Sequence, residues 1–251
     1  MNNRYLVFGL ISFLILNACN SKNETDQNAT IITGNVFYND SSNKLWRHRV
    51  NSVEDLQKYS KLFKGVELDV FFYPESGEFN VEHDEDSSLN LLLTDYFGAI
   101  SNPQNNYFWI DIKNLSNENV EQLVKRLGFI LDKYELQKNV ICESWRVNPL
   151  KTMNEAGIYT SYWIPSFPYD GEITEEQNVR LNKIVKNLEK CKHNAISAPY
   201  QMLPFIKDHL ANCNVHLWTN GLITEEDKNK IKEMQKYENV KVVLIDYDSP
   251  F

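Results

Sequence analysis

From Leu45 onward, short apolar runs rich in Val, Ile, Phe, Tyr and Trp alternate with longer stretches whose apolar residues recur every three or four positions. The first pattern predicts strands and the second amphipathic helices, because side chains alternate with period two in a strand and with period 3.6 in a helix. Strands are predicted at Leu45 to Val50, Val66 to Tyr73, Tyr107 to Ile112, Val140 to Ser144, Tyr159 to Ile164, Ala195 to Ala198, Val215 to Thr219 and Val240 to Asp246. The helices between them include Ser52 to Phe63, Glu118 to Tyr134, Glu175 to Cys191 and Glu225 to Tyr237. Glu78 to Glu82 reads as an extra hairpin strand after the second strand. Regular strand-helix alternation over this length predicts an α/β fold, a (β/α)8 TIM barrel, whose catalytic residues sit at the C-terminal ends of strands. The sequence stops at Phe251, just past the eighth strand, so the barrel is expected to lack its last helix, with Ile31 to Asn43 a candidate partial cover.

The first thirty residues follow a different pattern. Arg4, an apolar run from Tyr5 to Leu16 and the tetrapeptide L-N-A-C ending at Cys19 have the layout of a secretory leader, too short to span a bilayer. Ala18 directly before Cys19 resembles a bacterial lipobox, in which the leader is removed and the cysteine is acylated; a plain signal peptide and an uncleaved anchor are the alternatives. The expected organisation is a lipoprotein signal peptide over residues 1–18, a polar flexible tether over 19–30, and one barrel domain over 31–251. Roughly 230 residues would remain after cleavage, enough for a single large core. The expected location is the bacterial cell envelope, with lipid on Cys19 holding the domain to a membrane at its periplasmic or surface face.

The formal charge is −8, and loss of Arg4 with the leader makes the mature chain more acidic still. That balance argues against nucleic acid as a partner, since phosphate backbones are bound by Lys and Arg patches. It suits a requirement for a cation. Cys142 lies in an apolar run and reads as a small buried hydrophobe. Cys191 and Cys213 each fall near the end of a predicted helix on the same rim, which leaves a disulfide between them an open expectation.

The densest chemistry lies between Trp46 and Asp84: W-R-H-R-V-N-S from Trp46, G-V-E-L-D-V from Gly65, and V-E-H-D from Val81. Alternation along a strand puts Glu67 and Asp69 on one face about 7 Å apart, a spacing at which two carboxylates can grip one hard cation. His48 and His83 would flank that cation. W-I-D-I-K from Trp109 repeats the parity with Asp111 and Lys113. An oxygen-rich metal site, two proton-transfer groups and a fixed cation are what a phosphodiester hydrolase needs.

These residues carry a family resemblance. H-R in the first strand, E-x-D in the second, H-D shortly after, an acidic-x-Lys pair in the third, W-T in the seventh and I-D-Y near the eighth resemble the phospholipase-C-like phosphodiesterase superfamily, close to the glycerophosphodiester phosphodiesterases. Two features depart from that pattern: H-R-V-N-S stands where a longer H-R-G segment is usual, and Asp111 stands where the third-strand pair usually begins with Glu. Both are similar to the spider-toxin phospholipase D (sphingomyelinase D) branch, and H-x-V-N-S with E-x-D-V to the menorin-type branch.

The resemblance implies that Glu67, Asp69 and Asp111 hold one divalent cation, and their hard oxygen donors suit Mg²⁺ or Ca²⁺ rather than zinc. It implies His48 and His83 as general base and general acid, or one of them as a nucleophile on phosphorus. Lys113 would stabilise the phosphoryl oxygens, as would Arg49, whose alternatives are orienting a ligand or holding a carboxylate. Trp218 would form an aromatic wall for substrate. Trp145 and Trp163 are weaker candidates, with core packing the favoured reading for Trp163. Glu143 would meet a polar or cationic head group or form a buried ion pair. His193, His209 and His216 match no motif and read as structural.

The implied substrate is a small phosphodiester or a lysophospholipid. Attack by water gives a phosphomonoester and an alcohol, and attack by a substrate hydroxyl gives a cyclic phosphate. Two rival classes remain: a non-catalytic lipoprotein barrel used for ligand binding or scaffolding, and a glycosidase with paired carboxylates, which leaves His48, His83 and Lys113 without a role.

Overall fold

The computed structural model describes residues 44–85, 90–191 and 193–251; the expected signal peptide over 1–18, the expected tether over 19–30 and the stretch 31–43 lie outside the described residues. In chain order the elements are β1 (Leu45–Arg47), α1 (Val53–Tyr59), β2 (Gly65–Tyr73), β3 (Glu78–Val81), α2 (Leu93–Gly98), β4 (Tyr107–Ile112), α3 (Val120–Lys133), β5 (Val140–Ser144), α4 (Val147–Glu155), β6 (Thr160–Trp163), α5 (Glu175–Cys191), β7 (Ala195–Pro199), α6 (Leu203–His209), β8 (Val215–Trp218), α7 (Glu225–Gln235) and β9 (Val240–Ile245). Helices α2, α4 and α6, not singled out by the sequence pattern, span six, nine and seven residues, too few turns for a clear 3.6-residue period.

All strands except β3 are parallel and close into an eight-stranded barrel, with β1 paired to β9 on one side and to β2 on the other. The exception follows from the length of β2. Its first part, Gly65 to Val70, pairs with β4 inside the barrel, while Val70 to Tyr73 runs past the rim and pairs antiparallel with β3. The hairpin turns at Gly77, whose φ of 69° suits glycine.

Barrel strands are buried on both faces, and the two faces carry different residues. Outward-facing Phe108, Ile110 and Ile112 of β4 belong to the main core, which includes Leu123, Leu127, Ile130 and Leu131 along one face of α3. Residues of the other parity, Trp46, Trp109, Ile141, Tyr159, Ala195, Val242 and Leu244, form a separate cluster in the barrel lumen. Glycine at position 65 is required there: a Cβ would lie 2.2 Å from the Trp46 ring. Trp46 in turn stacks on Tyr107, with centroids 5.7 Å apart and planes at 6°. The lumen is therefore plugged below the level of the candidate site.

Two expectations are modified. The first strand ends at Arg47 rather than Val50, because Arg49 takes a left-handed φ of 56° that breaks the extended run. Cys191 and Cys213 are unbridged thiols, whereas Cys142 is fully buried and burial pushes its thiol up. After β9 residues 246–251 form no helix; Tyr247 and Phe251 stack edge-to-face at 5.1 Å, with Lys228 of α7 over both rings. No helix among the described residues is long and apolar enough to cross a membrane.

Candidate active site

The segment from His48 to Ser52 wraps the acidic end of β2 through a series of local hydrogen bonds. Ser52 caps α1, its hydroxyl accepting from the Asp55 N–H at 3.0 Å, which sets the direction in which the chain leaves the barrel. The left-handed turn at Arg49 lets its backbone N–H donate to Glu67 Oε2 at 2.7 Å. Asn51 grips Asp69 twice, donating from Nδ2 to Oδ2 at 2.7 Å and accepting the Asp69 N–H on Oδ1 at 2.9 Å. Both carboxylates are thus fixed before any ligand arrives.

Lys113 follows the end of β4, and its backbone N–H donates to Val70 O. Its ammonium reaches Asp69 Oδ1 and Asp111 Oδ2, each at 2.5 Å. Glu67, Asp69 and Asp111 each present an oxygen, all within 4.8 Å of one another. Burial raises the Glu67 carboxyl well above the usual range, and Asp69 and Asp111 push it further. Burial raises Asp111 as well, against the opposing pull of Lys113. Burial alone would lower Lys113, but the Asp111 and Asp69 carboxylates reverse the effect and raise it. One ammonium facing three carboxylates leaves negative charge uncompensated. The donor set therefore fits a hard divalent cation, which prefers carboxylate oxygens and would relieve that repulsion.

The two histidines are held differently. His48 is buried, with Nδ1 3.0 Å from Asp246 Oδ1 and Nε2 3.8 Å from Glu67 Oε2. His83 lies just beyond β3, half exposed, with Nδ1 3.0 Å from Asp84 Oδ1. Burial would raise Asp246, but its hydrogen bond to His48 and the charges of His48, Arg47 and Arg49 bring it below the usual carboxylate range.

These side chains line one cavity of about 180 Å³ at the C-terminal mouth of the barrel. It collects His48, Arg49, Glu67, Asp69, His83, Asp111, Lys113, Glu143 and Trp218 together with the weaker candidate Trp163, and adds Trp109, Asn220 and Leu244. Trp163 is thus a wall residue, against the expectation of core packing. Trp145 stands outside, exposed, with the Arg146 guanidinium 3.7 Å over its ring. Glu143 is 3% exposed and forms no ion pair among the described residues; burial, then Asp111, pushes its carboxyl well up. His216 and His193 lie elsewhere, and burial lowers them to about 3 and about 4.

No protein-family model matches the sequence, and no curated protein matches it. Solved structures do match. A glycerophosphodiester phosphodiesterase from Parabacteroides distasonis superposes with a TM-score of 0.61 over 81% of this chain and 92% of its own, at 14% identity. An Oleispira antarctica phosphodiesterase in complex with the product sn-glycerol-3-phosphate gives 0.59 over 82% and 93%, also at 14% identity. The chain shares their fold. A calcium-dependent phosphoinositol-specific phospholipase C from Pseudomonas sp gives 0.50 over 81% and 88%, at 10% identity.

Within this barrel, Asp246 and Asn51 are site residues that the sequence motifs alone do not single out. Asp246 lies in the I-D-Y motif and Asn51 in H-R-V-N-S, so both motifs were visible while the contacts were not. A carboxylate expected to orient a histidine would have pointed to Asp246, because that pairing fixes which ring nitrogen is free.

Proposed function

We propose that this protein is a divalent-cation-dependent phosphoric diester hydrolase acting on glycerophosphodiesters or the head groups of lysophospholipids. The observation that carries this reading is the convergence of His48, His83, Lys113 and three clustered carboxylates in one cavity at the barrel mouth. The fold shared with glycerophosphodiester phosphodiesterases supports it.

Glu67, Asp69 and Asp111 would hold Mg²⁺ or Ca²⁺, which when bound supplies Lewis-acid polarisation of a phosphoryl oxygen. Lys113, with Arg49 at the rim, would share the negative charge that builds on the phosphoryl oxygens. With Nδ1 of His48 donating to Asp246, Nε2 would be the base that takes the proton from the attacking hydroxyl. His83 would give its proton to the departing alkoxide. With water as nucleophile, the new P–O bond forms as the ester P–O bond breaks, and a phosphomonoester and an alcohol leave. With a hydroxyl of the substrate as nucleophile, the phosphate leaves as a cyclic diester.

The proposed setting is a bacterial envelope membrane, with the domain held by acylated Cys19 close to lysophospholipids and their deacylated diesters. The L-N-A-C motif supports that part of the reading.

The test is turnover by the full-length chain of a panel of glycerophosphodiesters, lysophospholipids and sphingomyelin, with Mg²⁺, Ca²⁺ or chelator, followed by mass spectrometry beside His48→Ala. Cation-dependent product that disappears in the variant is expected, and its mass separates hydrolysis from cyclisation. A folded protein that turns over nothing in the panel would favour the binding-only barrel.

A further inference from the structure

Arg47 and His48 are neighbours in sequence, and both reach the same atom. Nδ1 of His48 lies 3.0 Å from Asp246 Oδ1, and Nη1 of Arg47 lies 3.4 Å from it. Alternation past the end of β1 turns His48 into the barrel mouth and Arg47 outward onto α1. Asp246 is thus met from both faces of the strand end.

Residues 246–251 follow β9 without forming a helix, so side-chain contacts fix the course of the chain there. Tyr59, the last residue of α1, donates its hydroxyl to Asp248 Oδ1 at 2.6 Å, and Lys58 Nζ lies 3.5 Å from the same oxygen. The Arg47 guanidinium lies over the Tyr59 ring, 4.7 Å from its centroid, and Nη1 also donates to Ile245 O at 3.1 Å. Nε of Arg47 is buried without a hydrogen bond among the described residues, so the Tyr59 ring and Nη1 orient the guanidinium. The contacts close a loop that runs from Arg47 to Asp246, along the chain to Asp248, across to Tyr59 and back to Arg47.

A positive charge beside His48 by itself disfavours the imidazolium that forms when the ring takes a proton. What Arg47 can contribute is therefore placement of the carboxylate. A planar guanidinium suits that task, because it stacks flat on an aromatic ring while pointing an N–H at an oxygen, which an ammonium does not do.

We propose that Arg47 and Tyr59 are positioning residues for the catalytic base, a clasp that draws the segment from Asp246 to Asp248 onto α1 and fixes the Asp246 carboxylate against His48. The role of His48 as base rests on the hydrolase reading, but the effect of the clasp on the His48 ring is measurable without turnover.

The experiment measures kcat and KM of the full-length chain on the glycerophosphodiester that it turns over fastest, for the parent, Arg47→Met, Arg47→Lys, Asp246→Asn and the Arg47→Met/Asp246→Asn double variant. Arg47→Met should lower kcat by about 10- to 100-fold, with KM changed by less than about threefold. Arg47→Lys, which keeps the charge and loses the flat stack, should recover little of that loss. In the Asp246→Asn background Arg47→Met should cost less than about threefold more, because the carboxylate through which it acts is gone. Losses that multiply in full would overturn the proposal, as would Arg47→Met with unchanged or higher kcat, or full recovery in Arg47→Lys. If Arg47→Met does not fold, Tyr59→Phe, which keeps the ring and loses only the hydroxyl on Asp248, takes its place in the same cycle. If the parent turns over no ester, the hydrolase reading fails, and the tautomer of His48 decides, read from long-range proton–nitrogen correlations and assigned with His48→Ala. A single Nδ1–H tautomer in the parent and a mixture in Arg47→Met uphold the clasp; the same spectrum in both overturns it.

Discussion

Asp246 Oδ1 lies 3.0 Å from His48 Nδ1 across 198 positions of sequence. The contact exists because β1 pairs with β9, with Arg47 opposite Ile245, so the residues just past both strand ends meet at the barrel mouth. In the proposed mechanism an ionised Asp246 would hold the proton on Nδ1 and leave Nε2, 3.8 Å from Glu67 Oε2, as the acceptor. In the proposed mechanism it would position the base rather than touch substrate. Asp246→Asn should therefore keep the fold and reduce kcat by about 10²–10⁴, since an amide no longer enforces the tautomer, with a much smaller change in KM. Steady-state kinetics beside near-ultraviolet circular dichroism checks this; a kcat within threefold of the parent would refute it.

Glu67 is buried beside two other carboxylates, and burial followed by Asp69 and Asp111 raises its carboxyl. A raised folded-state pKa means that the ionised group opposes folding above that pKa, and the burden eases as pH falls through it. Glu67→Gln retains an acceptor for the Arg49 N–H while removing one of three like charges. In chelator it should gain about 1 kcal/mol at pH 8 and less at pH 5, as read by urea denaturation. Mg²⁺ or Ca²⁺ should raise the Tm of the parent and leave that of the variant nearly unmoved.

Asn51 makes two hydrogen bonds to Asp69, one to the side chain and one to the backbone. Asn51→Ala strands a buried carboxylate oxygen and a backbone N–H, a loss of about 2–4 kcal/mol of stability. A ligating carboxylate freed of its support also binds metal less well, by about 10- to 100-fold. Calorimetric titration with Mg²⁺ or Ca²⁺ reads the second effect directly, and unchanged affinity would remove Asn51 from the site.

His216 is enclosed in the lumen beside Trp109 and Tyr159, with Nδ1 2.9 Å from the Ser161 hydroxyl. Burial lowers it to about 3, from an ordinary value of 6.5. The unfolded chain therefore takes up a proton below pH 6.5 that folded His216 refuses until about pH 3, so its contribution is complete above 6.5 and is lost on acidification. The corresponding slope is about 1.4 kcal/mol per pH unit between pH 6 and 4. His216→Gln should flatten the stability profile by that amount over this window, measured by urea midpoints; parallel profiles would show that the group titrates alike in both states.

The bounds of β4, β5 and α5 match those expected from sequence because each is set locally: an apolar run between polar breaks in the strands, and a long amphipathic period in the helix. The sequence pattern extends β1 too far, since nothing in R-H-R-V-N announces the left-handed turn at Arg49 that aims its N–H at Glu67. The wall position of Trp163 is hidden in the sequence for a related reason. Strands of a closed parallel barrel are apolar on both faces, so T-S-Y-W does not reveal which parity looks into the lumen and which toward the helices.

The pattern along the chain specifies whatever depends on neighbours within one element. Alternation along β2 and β4 puts Glu67 with Asp69, and Trp109 with Asp111, on shared faces regardless of what surrounds them, and strand-helix alternation implies the barrel. Only the tertiary structure decided which strand ends meet. Closure of the barrel brought Asp246 to His48, and register across β7 set Trp163 against Trp218. The physical reason is that periodicity is a property of one strand's backbone, whereas these pairings follow from hydrogen-bond register between strands far apart in the chain, and no local pattern encodes it.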